Sequence, residues 1–219
     1  MGILELDKAK GIIRISSAII SYGNAADYAL TKQIADEVET MWNEPNGIIV
    51  LNDNVFQVRF RITPQYNHLI REDSIRENKN PKNNYIRIET FARLNVSCVD
   101  AVGSNTGYFK LDNLYPGSTT AAHEYGHSLG LDHPADLNLI GKGVPGIMYP
   151  RGTLVDPEFQ YDKTVMPGEG GGTLNPIYRK VKQEDIDNLQ LNKLLVRNIY
   201  VLGKFTNKYH EEQVSMPLV

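Results

Sequence analysis

Residues 119–134, TTAAHEYGHSLGLDHP, hold three of the chain's five histidines and a glutamate within one short stretch. On an α-helix, residues four apart stand one above the other, so His123 and His127 can aim imidazole nitrogens at a single ion. Glu124 follows His123 by one position, about 100° around the helix, which sets its carboxylate beside that ion as a candidate general base rather than a ligand. Gly130 has no Cβ and can adopt φ > 0, ending the helix and turning the chain so that His133 reaches the same point. Pro134 blocks any resumption of helix.

Two helical histidines at i and i+4 alone would suit an ordinary surface or core helix equally well. Gly130 and His133, at their fixed positions, tip the balance toward metal chemistry. Three neutral imidazoles leave a tetrahedral Zn²⁺ with one open position, which is a catalytic arrangement rather than a closed structural one. Water held there would have its pKa lowered to about 7, and Glu124 could take its proton as it attacks a carbonyl, then pass that proton to a leaving amine. One catalytic Zn²⁺ is therefore the expected cofactor.

These residues need a scaffold, and the rest of the chain supplies a plausible one. Residues 12–20 (IIRISSAII) are β-branched and read as a first strand. Leu30, Ile34, Val38 and Met41 recur at helical spacing between 26 and 44, with Pro45 and Gly47 ending the pattern. Residues 48–52 and 55–62 read as strands, the second burying Phe56, Val58, Phe60 and Ile62 on one face. The polar run 68–84 reads as a surface excursion, 85–91 as a strand, and 96–102 and 107–111 as two shorter ones. Ser118 is a candidate cap for the active-site helix. After a Gly- and Pro-rich region, roughly 141–176, a last helix is expected at 182–196. Within that region GEGGG (168–172) lacks the Lys and Ser/Thr of a phosphate loop and reads as a flexible connection.

Composition excludes several classes of function. At 219 residues with a net charge of −3, nothing points to nucleic acid or to an anionic membrane surface, and a monomer is expected. No segment approaches the ~20 apolar residues of a membrane helix, and MGILELDKAKGIIRISSAII carries no Sec-type signal. Cys98 is the sole cysteine, which rules out an internal disulfide and a thiolate cage, and it reads as a small buried hydrophobe. His68 and His210 stand alone and read as surface residues.

His123, Glu124, His127, Gly130 and His133 match H-E-x-x-H-x-x-G-x-x-H, and on these residues the chain resembles the metzincin metalloproteases. GIMYP (146–150) is similar to that family's methionine turn, which implies that Met148 packs beneath the metal as support and is not a ligand. Within the clan, AAHEYGHSLGLDHP and IMYP resemble the matrixins, the proline after the third histidine resembles the serralysins, and residues 181–190 are similar to the start of the matrixins' last helix. The departures are specific. Only His68 precedes the motif, so the matrixins' second, structural zinc is not expected. Pro150, Arg151 and Gly152 stand where the matrixin wall segment runs Pro, any residue, Tyr. Pro150 occupies the place of the astacin and serralysin tyrosine ligand, and Tyr149 is not assigned to the metal.

The resemblance implies an α/β (α+β) metzincin-like (zincin) fold: a twisted mixed five-stranded sheet, a backing helix, an active-site helix, and a small C-terminal subdomain with the methionine turn and last helix. It implies one catalytic domain, 1–219, divided into an N-terminal subdomain (1–133) and a C-terminal one (134–219). The implied activity is zinc-dependent endoproteolysis of a protein or peptide substrate bound extended along an edge strand, in a secreted or exported protein. Relatives also hold Ca²⁺; Asp100, Asp112 and Asp156 lie in loops, but without a diagnostic spacing they read as solvated aspartates. Two rivals are an exported toxin or effector with one narrow protein target and a non-catalytic zinc-containing binding module. The intact Glu124 argues against the second.

Overall fold

A computed structural model describes residues 1–214. In chain order the elements are β1 (Gly2–Asp7), β2 (Ile12–Tyr22), α1 (Tyr28–Asn43), β3 (Ile48–Leu51), β4 (Asn54–Tyr66), α2 (Glu72–Arg76), β5 (Asn83–Glu89), β6 (Cys98–Val99), β7 (Thr106–Lys110), α3 (Thr120–Leu129), α4 (Gln183–Asn188), α5 (Leu191–Val196) and β8 (Val201–Leu202). This is a mixed α/β chain built on one mixed sheet.

The sheet is larger than the five strands expected. Its path runs β3-β4-β2-β5-β7-β6, with β1 and β8 attached beside β2. The length of β2 explains the difference. Parallel β4 covers one edge of β2 from Ile12 to Ser21. On the opposite edge, antiparallel β1 covers Ile12 to Ser16 and parallel β5 covers Ala18 to Tyr22. A long strand thus hosts two partners end to end, and β8 extends the sheet through β1.

Alternation along β4 works as the pattern predicts: Phe56, Val58, Phe60 and Ile62 are buried, facing Ile34, Val38 and Trp42 of α1. Asp27 caps α1 by accepting a hydrogen bond from the Leu30 amide at 2.7 Å. Trp42 closes the layer, stacking tilted on Phe60 and edge-on to Tyr125, and its indole donates to the Ala122 carbonyl at 3.1 Å. The backing helix therefore grips α3 directly. A single hydrophobic core draws residues from Leu4 to Leu202.

Four expectations need correction. The last helix is two, because Gln190 sits in the left-handed region at φ 52 and separates α4 from α5. The strand at 96–102 shrinks to Cys98–Val99, and Cys98 is exposed because it lies on the edge strand β6. His210 is not alone: its Nε2 lies 3.0 Å from Asp100 Oδ2. The region 141–176 has no regular helix or strand but is packed, with a satellite core of Leu139, Val155 and Leu174, and Leu154 and Leu174 pair with Asn138 and Gln160. Among the described residues no helix is long and apolar enough to cross a membrane.

Candidate metal centre

Helix α3 is buried along its whole length, which is unusual for a segment carrying two histidines and a glutamate. Three contacts fix it. Tyr125 and Ser17 of β2 share a hydrogen bond of 2.8 Å between hydroxyls, Trp42 holds the Ala122 carbonyl, and Gly126 faces Met148. A Cβ at position 126 would overlap the Met148 sulfur and come within 3.1 Å of the Trp42 ring. This glycine is therefore required by close approach. Met148 packs against helix α3 at Gly126.

Ser118 Oγ accepts from the amide of Thr120, the first residue of α3, at 3.3 Å, although Ser118 is not itself the N-cap residue. The N-cap position is Thr119, a β-branched residue at φ 58, with no side-chain cap bond. Its hydroxyl donates instead to the Pro176 carbonyl at 2.8 Å. The amides of Gly117 and Ala122 face the Glu37 carboxyl of α1, and burial pushes that carboxyl up to about 7. At the other end Gly130 takes φ 110, with the Leu131 amide donating to the Gly126 carbonyl at 3.1 Å and the Gly130 amide to His127 at 3.0 Å. These are the bonds of a glycine-terminated helix, and the turn carries the chain back to His133.

His123 Nδ1 donates to the Ile147 carbonyl at 2.7 Å, and His127 Nδ1 donates to the Leu131 carbonyl at 2.8 Å. With each Nδ1 proton committed, both Nε2 lone pairs point inward. His133 Nε2 lies 3.0 Å from His127 Nε2 and 3.2 Å from His123 Nε2. Four-coordinate zinc with ligands at about 2.0–2.1 Å needs nitrogens roughly 3.3 Å apart. Burial pushes His123 well below the usual imidazole range, and Arg179 and the neighbouring histidines push it the same way; His127 and His133 are also lowered by burial. Neutral imidazoles that turn their lone pairs on one another fit a divalent cation. Among the described residues this triad is the one group of His, Cys, Asp or Glu arranged to hold a metal.

Glu124 lines the same cleft as His123 and His133. Its Oε2 accepts from the Val99 amide of β6 at 3.1 Å. Burial pushes its carboxyl up to about 8, opposed by that amide and by Arg179. The aspartates considered for calcium do not converge. Asp100 accepts from Thr106, His210 and Lys208, Asp112 pairs with Lys110, and Asp156 accepts the Gly141 amide.

One residue of the cleft carried no signal in the sequence. Arg179 sits in the basic run RKVK, yet it is only 3% exposed and lines the cleft with His123, Glu124 and Arg151. Its burial follows from the bridge between Gly146 and Lys180, a pairing that no local pattern announces.

No protein-family profile matches the chain, and no curated protein matches it in sequence. Among solved structures, the backbone is similar to the archaemetzincin of Methanopyrus kandleri, with a TM-score of 0.42 and 12% identity over 81% of this chain and 96% of that one.

Proposed function

We propose that the chain is a zinc-dependent endopeptidase in which His123, His127 and His133 hold the metal and Glu124 is the general base. The observation that carries this reading is the convergence of the three Nε2 atoms of His123, His127 and His133 beside the buried Glu124 carboxyl in an open cleft. A bound zinc would supply Lewis acidity, lowering the pKa of water and polarising a peptide carbonyl.

The remaining steps belong to the chain. Glu124, its Oε2 held by the Val99 amide, takes a proton from water and delivers it to the departing amine nitrogen. The Ile147 and Leu131 carbonyls hold two imidazoles in the ligating tautomer. Met148 and Gly126 set the depth of the helix, and Gly130 brings His133 round. The edge strand β6 and residues 95–97 flank the cleft, so an extended peptide can add to the sheet there by main-chain hydrogen bonds. The shared core from Leu4 to Leu202 supports one catalytic domain, and the division into 1–133 and 134–219 is part of the proposal. This reading stays at the level of a metzincin-like peptidase and assigns no branch of that clan.

Glu124→Ala tests the base. We expect one zinc per chain to be retained while peptide hydrolysis falls by about 10²–10⁴-fold. Equal cleavage of casein by both proteins would remove Glu124 from the mechanism, and a zinc-loaded wild type that cleaves nothing would favour a binding module.

A further inference from the structure

Among the described residues Arg179 is a buried cation that no carboxylate meets by a hydrogen bond. Among the described residues its Nε and Nη1 find no hydrogen-bond partner, although the side chain is almost entirely enclosed. Burial lowers it only to about 10, so the guanidinium is charged at neutral pH. An unsatisfied buried charge is costly and calls for an explanation. Here the charge faces the site: it lines a cleft of about 220 Å³ together with Thr120, His123, Glu124, His133 and Arg151.

The position of Arg179 is built rather than incidental. It follows a single 3-10 turn, Pro176–Tyr178, whose Pro176 carbonyl accepts the Thr119 hydroxyl at 2.8 Å. On its other side the Lys180 amide donates to the Pro145 carbonyl at 3.0 Å. Thr119 holds a left-handed conformation that β-branched residues avoid, and such strain persists where surrounding contacts over-determine it. The backbone that carries Arg179 is thereby held between the start of α3 and the segment leading to Ile147, whose carbonyl accepts from His123. With Arg151 on the same wall, the cleft beside the metal ligands carries two cations and one carboxylate.

A planar guanidinium with free donors matches a carboxylate, which it can engage through two parallel hydrogen bonds. We propose that Arg179 is the specificity-determining residue of the cleft and receives a carboxylate of the bound peptide, from an Asp or Glu side chain flanking the scissile bond or from the peptide's own C-terminus. The assignment rests on the peptidase reading, because it places that carboxylate within reach of the reacting bond. Arg179 is not assigned a catalytic role.

The test compares wild type, Arg179→Met and Arg179→Lys on quenched fluorescent peptides identical except for Glu or Gln at each position flanking the scissile bond. A second pair differs only in a free or amidated C-terminus. We expect wild type to favour one carboxylate-bearing form by roughly 10- to 100-fold in kcat/KM, the range for charge-assisted hydrogen bonds. The pair that shows this preference identifies the carboxylate's source. In Arg179→Met the preference, read as the ratio of kcat/KM between the paired peptides within that variant, should collapse toward unity whatever the absolute rate, with Arg179→Lys intermediate.

The same peptides capped with a hydroxamate, titrated calorimetrically into zinc-loaded protein, give the preference without turnover. If the hydroxamates discriminate and Arg179→Met abolishes the discrimination while no peptide is cleaved, the assignment of Arg179 stands and the peptidase reading falls. If wild type cleaves peptides without regard to charge, or Arg179→Met keeps the preference, the assignment is overturned and the peptidase reading stands. Arg179→Met should melt no lower than wild type; a lower melting temperature with an unchanged preference would make Arg179 a structural cation and also overturn the proposal.

Discussion

Two buried arginines stand beside two buried glutamates in this protein, and only one pair is joined. On β5, Arg87 Nε donates to Glu89 Oε1 at 2.6 Å, Nη1 donates to the His210 carbonyl at 2.8 Å, and the guanidinium lies 5.5 Å from the centre of the Tyr22 ring. In the cleft, Arg179 and Glu124 influence one another through space, yet Glu124 accepts from the Val99 amide and Arg179 keeps two free donors. The difference separates two uses of burial. A charge neutralised in place ties the sheet to the C-terminal segment, whereas a charge left facing a cleft is held ready for a ligand.

The largest test of that contrast is Arg87→Met. It strands the fully buried Glu89 carboxylate, and we expect a loss of about 3–5 kcal/mol in urea unfolding. The matched change at Arg179 should cost nothing. Comparable losses at the two positions would erase the distinction between a structural and a ligand-facing arginine.

Gly126→Ala probes the region beneath the metal site. The added Cβ must displace Met148 and crowd Trp42, so unfolding free energy should drop by about 1–3 kcal/mol and zinc affinity should fall with it. Unchanged stability would mean that Met148 is not wedged against the helix.

A smaller effect is expected in the pH dependence of stability. Glu37, which faces the amides at the start of α3, has its carboxyl raised from 4.5 to about 7 by burial. The folded state therefore binds more protons than the unfolded state between these values. Its contribution to stability is full below 4.5, is lost as pH rises through about 7, and changes no further above that. Glu37→Gln should flatten this part of the profile of urea midpoints. A profile identical to that of wild type would show that Glu37 does not titrate in this window. The smallest effect is at the edge strand: Cys98→Ser should alter stability by less than about 0.5 kcal/mol, and the exposed Cys98 should react with a thiol reagent in the native protein at a rate that climbs with pH, because burial raises its thiol above the ordinary cysteine range. A protected thiol would contradict the placement of β6.

How far the site was legible follows from the range of the interactions that build it. His123, Glu124, His127, Gly130 and His133 could be read together because the helix and its glycine turn are local, and chemistry demands those spacings. The strands were legible where β-branched residues alternate, as in β4. β1 was not, because GILELD is short and acidic and acquires its register only from β2. The division between α4 and α5 escaped notice because Leu and Ile recur through the break, and Gln190 carries the turn without Gly or Pro. Arg179 was invisible for the same reason at longer range. Its neighbours in space, at 119–124 and 145–151, are far from it along the chain.

Every role proposed for the cleft requires the triad to hold a metal, and metal content measures that directly. Protein purified without chelator, analysed by atomic emission alongside His133→Ala, should carry one zinc per chain in the wild type and markedly less in the variant. A wild type with no zinc, and none taken up on equilibrium dialysis against the ion, would contradict a metal centre at His123, His127 and His133, because their converging Nε2 atoms would then have no cation to explain them.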